Sequence, residues 1–371
     1  MQRKYRIGLR KGRLEDKGRP SWTGDGPRPI SWLAWYPARD DAEERAVAPR
    51  ASWFVTGPVA ADADLSDAQT RYPVVMLSHG TGGTAWSMEW LGRRLASRGF
   101  VAVAANHHGN SAVQPYRAEG FLSLWERARD LTVLLDDLLA QPCDGAGRGA
   151  FAGRLDPARC YAAGFSAGAY TVMLLTGAVT LASQYQYPDQ YAEPPLDLTA
   201  EDARMPVVPF SMGPREFPDL ARHLPGLLER SAIFRASWAR MSDSYLDQRI
   251  KAALVCAPGR SVLGFDEASL AGIETPIRIV VGDEDPVAPV EQCAAWLKAR
   301  LRQAELTVLK GGVGHYVFLP EPTETGRRAA PDLCVDAPRV DRRAIHERVA
   351  VQAISLFNKI PEKQPITGEF A

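Results

Sequence analysis

Short apolar runs alternate with amphipathic stretches along most of the chain after Pro73. Short apolar runs predict buried strands, and apolar residues at helical spacing predict helices. Alternation of the two requires crossover connections and therefore predicts a mostly parallel sheet flanked by helices. The predicted strands are Val74–Leu77, Val101–Ala105, Cys160–Phe165, Ala252–Ala257, Ile277–Val281 and Leu306–Leu309. The predicted helices are Trp86–Arg98, Leu122–Leu139, one starting near Ala167, Val290–Arg302 and Asp341–Asn358.

The first part of the chain follows a different pattern. Two strand-like runs, Lys4–Leu9 and Ile30–Tyr36, are separated by turns rich in glycine and proline. Such an arrangement predicts an antiparallel hairpin at the edge of the sheet.

The alternation also breaks between residues 178 and 251. This stretch is rich in proline and aromatic residues, with helix-like pieces at Asp219–Glu229 and Ser231–Gln248. A structureless loop of that length is improbable in a compact domain, so we predict an inserted helical cap. The predicted organisation is a core of residues 1–177 and 252–371, with the cap at 178–251 between its two parts.

Residues 164–168 read Gly-Phe-Ser-Ala-Gly and match the nucleophile elbow G-x-S-x-G. An apolar strand precedes the motif and a helical run follows it. On such a tight turn the hydroxyl of Ser166 is exposed, and glycine at both ends lets the turn close. Ser166 is therefore the candidate nucleophile. The alternative is a strand-to-helix turn without chemistry.

Residues 78–83 read Ser-His-Gly-Thr-Gly-Gly and follow an early parallel strand. A glycine-rich loop at this place can bring backbone N–H groups close to a developing oxyanion. We predict that the N–H groups of Thr81 and Ala167 form the oxyanion hole, and that His79 and Gly80 contact the substrate. The alternatives are a plain turn or a phosphate loop, but no Gly-Lys-Ser/Thr sequence follows.

Three acids compete to orient a catalytic histidine, because residues 283–285 read Asp-Glu-Asp directly after a strand. Asp285 is preferred since Pro286 fixes the turn beside it, and Asp283 is the alternative. His315 is the candidate base, because it alone of the six histidines lies in a glycine-rich loop after the last strand. The order Ser, Asp, His matches one known arrangement of the catalytic triad. Tyr316 is predicted to contact the substrate.

The composition of the chain limits the kinds of molecule that it is expected to bind. The chain of 371 residues is 46% hydrophobic, enough for one large elaborated domain. Lys plus Arg and Asp plus Glu both number 44, so no net charge favours nucleic acid. The scattered cysteines and the pair His107 and His108 lack the spacing of a metal site. Neither a signal-peptide run nor about twenty consecutive apolar residues occur, which favours a cytoplasmic protein without a membrane span, although a chain whose leader had been removed would look the same.

With these residues in hand, the chain resembles the dienelactone hydrolase-like group of α/β-hydrolases, which includes the platelet-activating factor acetylhydrolases. The resemblance covers most of the chain. The segments that carry it are Ile30–Ala38, Leu77–Gly83, Asn106–Ser111, Gly164–Gly168, Gly314–Leu319 and the terminal helix around His346. It implies the α/β-hydrolase fold, ester hydrolysis and no cofactor. Dienelactone hydrolase itself uses a cysteine nucleophile, and the long cap also departs from the family, so the substrate class cannot be transferred.

The sequence thus predicts an α/β-hydrolase with an inserted helical cap that cleaves a small carboxylic ester through an acyl-enzyme. Acyl transfer, amide or lactone hydrolysis by the same residues, or a non-catalytic ligand receptor, are the alternatives. Three cap aromatics, Phe210, Phe217 and Trp238, are predicted to contact an apolar or aromatic part of the substrate, although cap aromatics equally often pack against the core. The sequence does not indicate an oligomeric state.

Overall fold

The computed structural model describes residues 4–47, 52–140, 151, 153–181, 217 and 220–359. Within those residues a sheet of nine strands has the order β3-β1-β2-β5-β4-β6-β7-β8-β9. Strands β5, β4, β6, β7, β8 and β9 are parallel, and β1 and β2 join them as an antiparallel hairpin, with the short β3 outside β1. The strands are β1 (Arg6–Pro20), β2 (Pro27–Ala38), β3 (Ala60–Ala61), β4 (Tyr72–Ser78), β5 (Val101–Asn106), β6 (Leu155–Phe165), β7 (Ile250–Cys256), β8 (Ile277–Gly282) and β9 (Ala304–Leu309).

Helices connect the strands and cover both faces of the sheet. The α-helices are α1 (Glu89–Ala96), α2 (Ala118–Leu122), α3 (Glu126–Ala140), α4 (Ala167–Leu175), α5 (His223–Arg230), α6 (Ala232–Trp238), α7 (Glu267–Ala271), α8 (Trp296–Arg300), α9 (Glu324–Ala329), α10 (Pro331–Cys334) and α11 (Arg342–Asn358). Short 3₁₀ turns occur at Ala85–Met88, Leu220–Arg222, Arg260–Gly264 and His315–Phe318, and a π turn at Glu291–Ala295. The mostly parallel, helix-flanked sheet confirms the predicted fold class.

The central strands bury side chains on both faces, which explains why they read as unbroken apolar runs. In β4, Val74 and Met76 belong to one hydrophobic cluster together with residues of α3 and α4. Val75 and Leu77 belong to a second cluster, which includes residues of α1 and α11. Since successive residues of a strand point to opposite faces, the molecule has two apolar cores separated by the sheet.

The hairpin extends further than its apolar residues indicate. Strand β1 continues from the predicted Lys4–Leu9 to Pro20 through a run of charged residues. Buried or half-buried positions alternate there with exposed ones, and the arginines and lysines of the exposed face obscured the alternation.

Several predicted helices are shorter or interrupted. The predicted helix Leu122–Leu139 is divided into α2 and α3 by a break around Ser123. The predicted helix Trp86–Arg98 starts with a 3₁₀ turn, and Ser231–Gln248 is helical only in α6. The predicted helix Asp341–Asn358 begins one residue later, because Asp341 caps α11 by accepting a hydrogen bond from the N–H of Ala344, 3.0 Å away.

The predicted cap is described only in part. Helices α5 and α6 and the turn before them lie in the predicted region. The turn and α5 contact α2, and α6 packs against α5. Phe210 lies outside the described residues, so its predicted contact with the substrate remains a prediction. Among the helices of the described residues, none has the length and hydropathy needed to cross a membrane.

Candidate active site

The candidate residues lie where parallel strands end. Strands β4, β6, β8 and β9 end at Ser78, Phe165, Gly282 and Leu309, and each is followed by one of the motifs identified in the sequence. Parallel neighbours end at the same edge of a sheet, so this edge collects the motifs, as is general for open α/β sheets.

Ser166 lies in a strained turn between β6 and α4. Its φ is 54° and its ψ is −117°, a conformation that is costly for a residue with a side chain. The two glycines of the motif are required sterically: a Cβ at Gly164 would lie 2.1 Å from the carbonyl oxygen of Gly168, and one at Gly168 would lie 2.0 Å from that of Ser78. The turn therefore closes only with glycine at both ends.

The structure brings Ser166, His315 and Asp285 together. The Nε2 atom of His315 lies 3.1 Å from the Oγ atom of Ser166, and Nδ1 lies 2.7 Å from Oδ2 of Asp285. The other carboxylate oxygen of Asp285 accepts hydrogen bonds from the N–H groups of Val287 at 2.9 Å and Ala288 at 2.7 Å. Because an ionised carboxylate only accepts, Nδ1 of His315 carries the proton and Nε2 faces the serine as an acceptor.

The competing acids occupy different places. The carboxylate of Asp283 accepts hydrogen bonds from the N–H groups of Gly311, Gly312 and Val313 at 2.9 to 3.0 Å. Burial opposes ionisation, but these N–H groups hold the pKa of Asp283 below its usual value. Glu284 is exposed. Asp283 thus fixes the glycine turn that leads to His315, while Asp285 contacts the imidazole.

His315 begins a short 3₁₀ turn, His315–Phe318, which we call the histidine turn. Two distant side chains hold its other end: Nε1 of Trp90 donates to the carbonyl oxygen of Phe318 at 2.7 Å, and Nε2 of His346 donates to that of Val317 at 2.8 Å. The rings of Trp90 and His346 are stacked with centroids 4.4 Å apart. Burial lowers the pKa of His346 to about 3, so this ring is neutral.

The loop Ser78–Gly83, which we call the oxyanion loop, packs against Ser166. A Cβ at Gly80 would lie 3.1 Å from two ring carbons of Phe165 and 3.4 Å from Cβ of Ser166, so a larger residue here would crowd the Phe165 ring. The N–H groups of Thr81 and Ala167 donate no hydrogen bond to any described residue. Ala167 is also the first residue of α4, where free N–H groups favour negative charge. Both groups are therefore available to an oxyanion beside Ser166.

The predicted substrate contacts occupy varied positions. The imidazole of His79 lies beneath the oxyanion loop, fully buried, and its Nδ1 is 2.7 Å from the carbonyl oxygen of Gly80. Tyr316 is half-buried with its ring edge-on to that of His315, at 5.2 Å between centroids. Phe217 and Trp238 are half-buried in the predicted cap region. Their contacts with a substrate remain predictions.

A buried cluster of charged residues near the site was not predicted from the sequence. Under the oxyanion loop lies a buried charge cluster made of Arg19, Arg28, Glu126, Arg127 and Asp130. Arg19 bridges Glu126 and Asp130 at 2.8 and 2.7 Å. Burial alone would raise the pKa of Glu126, but Arg28 and Arg19 hold it near 2. The sequence did contain an indication of this cluster, because three of its charged residues lie on the apolar face of one predicted helix. Charged residues in such a place are rarely buried unless they are paired with opposite charges.

Comparisons with known proteins agree with the fold and identify the family. The model of a family described as the alpha/beta hydrolase family matches residues 74–328. Among solved structures, the chain is similar to a ferulic acid esterase from Streptomyces cinnamoneus, with a TM-score of 0.58 and 18% sequence identity over 98% of this chain and 94% of that one. At this identity the likeness shows a shared fold. No curated protein matches the sequence.

Proposed function

Since the chain belongs to the alpha/beta hydrolase family, we propose that it is a serine esterase that forms an acyl-enzyme on Ser166. The observation that carries the proposal is the pair of contacts made by His315, 3.1 Å to Ser166 Oγ and 2.7 Å to the Asp285 carboxylate. The first contact is within the distance that proton transfer from a nucleophile to its base requires, and the second is a hydrogen bond that orients the base.

In the proposed reaction, Nε2 of His315 takes the hydroxyl proton of Ser166 as Oγ attacks the ester carbonyl. The negative charge that develops on the carbonyl oxygen is stabilised by the N–H groups of Thr81 and Ala167. His315 then returns the proton to the leaving alcohol, and the acyl group stays on Ser166. A water molecule, deprotonated by the same Nε2, releases the acid. Asp285 keeps the imidazole in the required tautomer and stabilises the imidazolium.

We propose an ester rather than an amide as the substrate, in keeping with the name of the similar ferulic acid esterase. The half-buried aromatic rings near the site favour an apolar or aromatic acyl or alcohol group. The narrower resemblance to the dienelactone hydrolase-like group remains a prediction.

The test is to treat the full chain with a fluorophosphonate probe and to assay p-nitrophenyl esters from acetyl to decanoyl. We expect labelling of Ser166 and turnover of at least part of the ester series. Acyl transfer to an added alcohol that outcompetes hydrolysis by water would identify a transferase instead. A folded protein that neither takes up the probe nor cleaves any ester would support the alternative of a ligand receptor.

We further propose that the region 178–251 is a cap that selects the substrate. Phe217 supports this idea, because its ring contacts Phe121 at 5.9 Å, Phe121 contacts Tyr116 at 5.4 Å, and the hydroxyl of Tyr116 donates to the carbonyl oxygen of Gly82 in the oxyanion loop at 2.6 Å. A series of aromatic contacts thus joins Phe217 to the oxyanion loop.

If the cap selects the substrate, replacing Phe217 or Trp238 by alanine should change the ratio of kcat/KM between short and long acyl esters more than it lowers thermal stability. Half-buried rings that contact the acyl chain contribute unequally to different substrates. The measurement is kcat/KM over the ester series together with the Tm of each variant. Phe210→Ala belongs to the same series.

Phe234, on α6 with Trp238, provides the matched control because its ring is fully buried. Phe234→Ala should cost about 3 to 5 kcal/mol of stability and leave the substrate ratio unchanged. The cap proposal fails if the Phe217 and Trp238 variants behave like this control, losing stability without any change of substrate ratio.

A further inference from the structure

Arg127 is a buried cation directly beneath the oxyanion loop. Its side chain is among the largest fully buried ones in the described residues. Burial lowers the pKa of Arg127 to about 9, while the nearby carboxylate of Asp130 raises it. The guanidinium is therefore still charged at neutral pH, and the reaction proposed above makes no use of it.

The placement of Arg127 has no explanation in stability. Its Nε and Nη1 atoms have no hydrogen-bond partner among the described residues. Burying a cation with unsatisfied donors is costly, and apolar residues of similar volume often stabilise such a position better. The cost suggests that the guanidinium serves another purpose.

Its hydrogen bonds indicate which purpose. Nη2 of Arg127 donates to the carbonyl oxygen of His79 and, at 3.3 Å, to the hydroxyl of Ser78. The C=O and N–H of a trans peptide point in opposite directions. Holding the His79 carbonyl towards Arg127 therefore turns the N–H of Gly80 away from α3.

The next peptide is held in the same way. The carbonyl oxygen of Gly80 accepts hydrogen bonds from Nδ1 of His79 at 2.7 Å and from the N–H of Gly83 at 3.1 Å. Burial, and then the charge of Arg127, keep the pKa of His79 well below its usual value, so the ring is neutral with its proton on Nδ1. The N–H of Thr81 is consequently directed away from these partners and left free.

A hydrogen-bonded series fixes Arg127 in turn. The hydroxyl of Ser78 lies 3.0 Å from Nε2 of His107, and Nδ1 of His107 lies 2.9 Å from Asp130. Burial lowers the pKa of His107 to about 4. With Asp130 accepting at Nδ1, the neutral ring accepts the Ser78 proton at Nε2, so the Ser78 oxygen faces Arg127 as an acceptor.

We propose that Arg127 is a positioning residue of the oxyanion hole. With His79 it anchors the carbonyl oxygens of two successive peptides, and so holds the N–H of Thr81 in place before the substrate arrives. This role rests on the proposed esterase function. Arg127 lowers the activation barrier without touching the substrate, because the N–H of Thr81 is already in position and needs no rearrangement during the reaction.

The test compares Arg127→Met with Arg28→Met. Arg28 belongs to the same charge cluster, is equally buried and also has an unpaired Nε, but its contacts are with Glu126, Asp130 and the ring of Trp22. Arg28→Met should lower the Tm because it removes a cation paired with Glu126 and Asp130, whereas Arg127→Met should keep a Tm at or above that of the wild type. Only Arg127→Met should lose kcat, by about 10- to 100-fold with KM changed less than about threefold.

A second readout separates positioning from a general structural defect. Phenylboronic acid forms a tetrahedral adduct with a serine nucleophile, so its affinity reports on the oxyanion hole. A transition-state analogue binds through the same interactions that lower the activation barrier. The affinity for the boronic acid should therefore fall in parallel with kcat in Arg127→Met and stay within about twofold of the wild-type value in Arg28→Met. Equal losses in the two variants, or an unchanged kcat in Arg127→Met, would overturn the proposal.

If Arg127→Met does not fold, Arg127→Lys decides the question. A lysine keeps the charge but cannot reproduce the guanidinium fork. The Arg127→Lys variant should lose at least about threefold both in kcat and in affinity for the boronic acid. Unchanged values of both would contradict the proposal. A wild type that cleaves no ester would overturn the esterase function and this role together, whereas an active Arg127→Met enzyme would overturn this role alone.

Discussion

Ser166→Ala is expected to lower kcat for ester hydrolysis by roughly four to six orders of magnitude while leaving the fold intact, as removal of a nucleophile does in other serine hydrolases. The side chain is small and belongs to neither hydrophobic cluster, so its loss creates no cavity in either core. The free oxyanion donors would account for the activity that remains. The measurement is kcat with a p-nitrophenyl ester, together with Tm and circular dichroism.

Ser123 offers a control for this substitution. Its hydroxyl is buried and has no hydrogen-bond partner among the described residues. Ser123→Ala should therefore leave kcat within about twofold of wild type, as expected for a residue outside the site. Ester turnover by a clean preparation of Ser166→Ala at more than about one per cent of the wild-type rate would exclude Ser166 as the nucleophile.

Asp285→Asn is expected to lower kcat on the order of ten-thousand-fold, the loss seen when the acid of a catalytic triad becomes an amide. The reason lies in the three hydrogen bonds of the carboxylate. Val287 and Ala288 both donate to one oxygen, so the single oxygen of asparagine will remain with them. The amide NH₂ then faces Nδ1 of His315 and selects the tautomer with its proton on Nε2, which cannot accept the proton of Ser166.

Asp283→Asn is the matched control, because the two acids are two residues apart on the same loop. Its oxygens bind only backbone N–H groups of the glycine turn. The substitution should cost about 1 to 2 kcal/mol of stability and less than about tenfold in kcat. The comparison uses kcat, kcat/KM and urea unfolding of both variants. The reverse order of effects on kcat would assign the orienting role to Asp283.

The positions of the candidate site follow from local sequence patterns. A strand, a tight turn and a helix leave a recognisable signature at Gly164–Gly168, and the histidine loop is marked by glycines between a strand and His315. The rule that parallel strands end at one edge is enough to bring these motifs together. The structure places His315 within hydrogen-bond distance of both Ser166 and Asp285. Their roles remain proposals until the variants are measured.

The choice between Asp283 and Asp285 could not be settled from the sequence, since both follow the same strand. It depends on which carboxylate meets the imidazole and which meets the backbone of the glycine turn, and those contacts join segments about 30 residues apart. The charge cluster could not be predicted from the sequence for the same reason. The partners of Glu126 and Asp130 include Arg19, more than 100 residues away in the hairpin, and pairing of this kind leaves no local pattern.

Interruptions of helices were equally hard to foresee. The break between α2 and α3 falls in a stretch whose apolar residues keep helical spacing, but the tryptophan after the break, Trp125, is fully buried. Its indole N–H donates to the carbonyl and hydroxyl oxygens of Ser237 at the end of α6. A tertiary contact with the predicted cap thus accompanies the break, and tertiary contacts commonly override local propensity.

The histidine turn depends on two helices from opposite parts of the chain, since Trp90 belongs to α1 and His346 to α11. Ribosomes make the chain from its N-terminus, and domains fold as their segments emerge. By the time residue 315 has been synthesised, Ser166, Asp285 and His315 are all present. The hydrogen bond from His346 to the histidine turn cannot form until α11 has left the ribosome and packed against α1. A nascent chain therefore acquires a fully held His315 only after α11 has been made, when the parallel sheet that supports this residue is already complete.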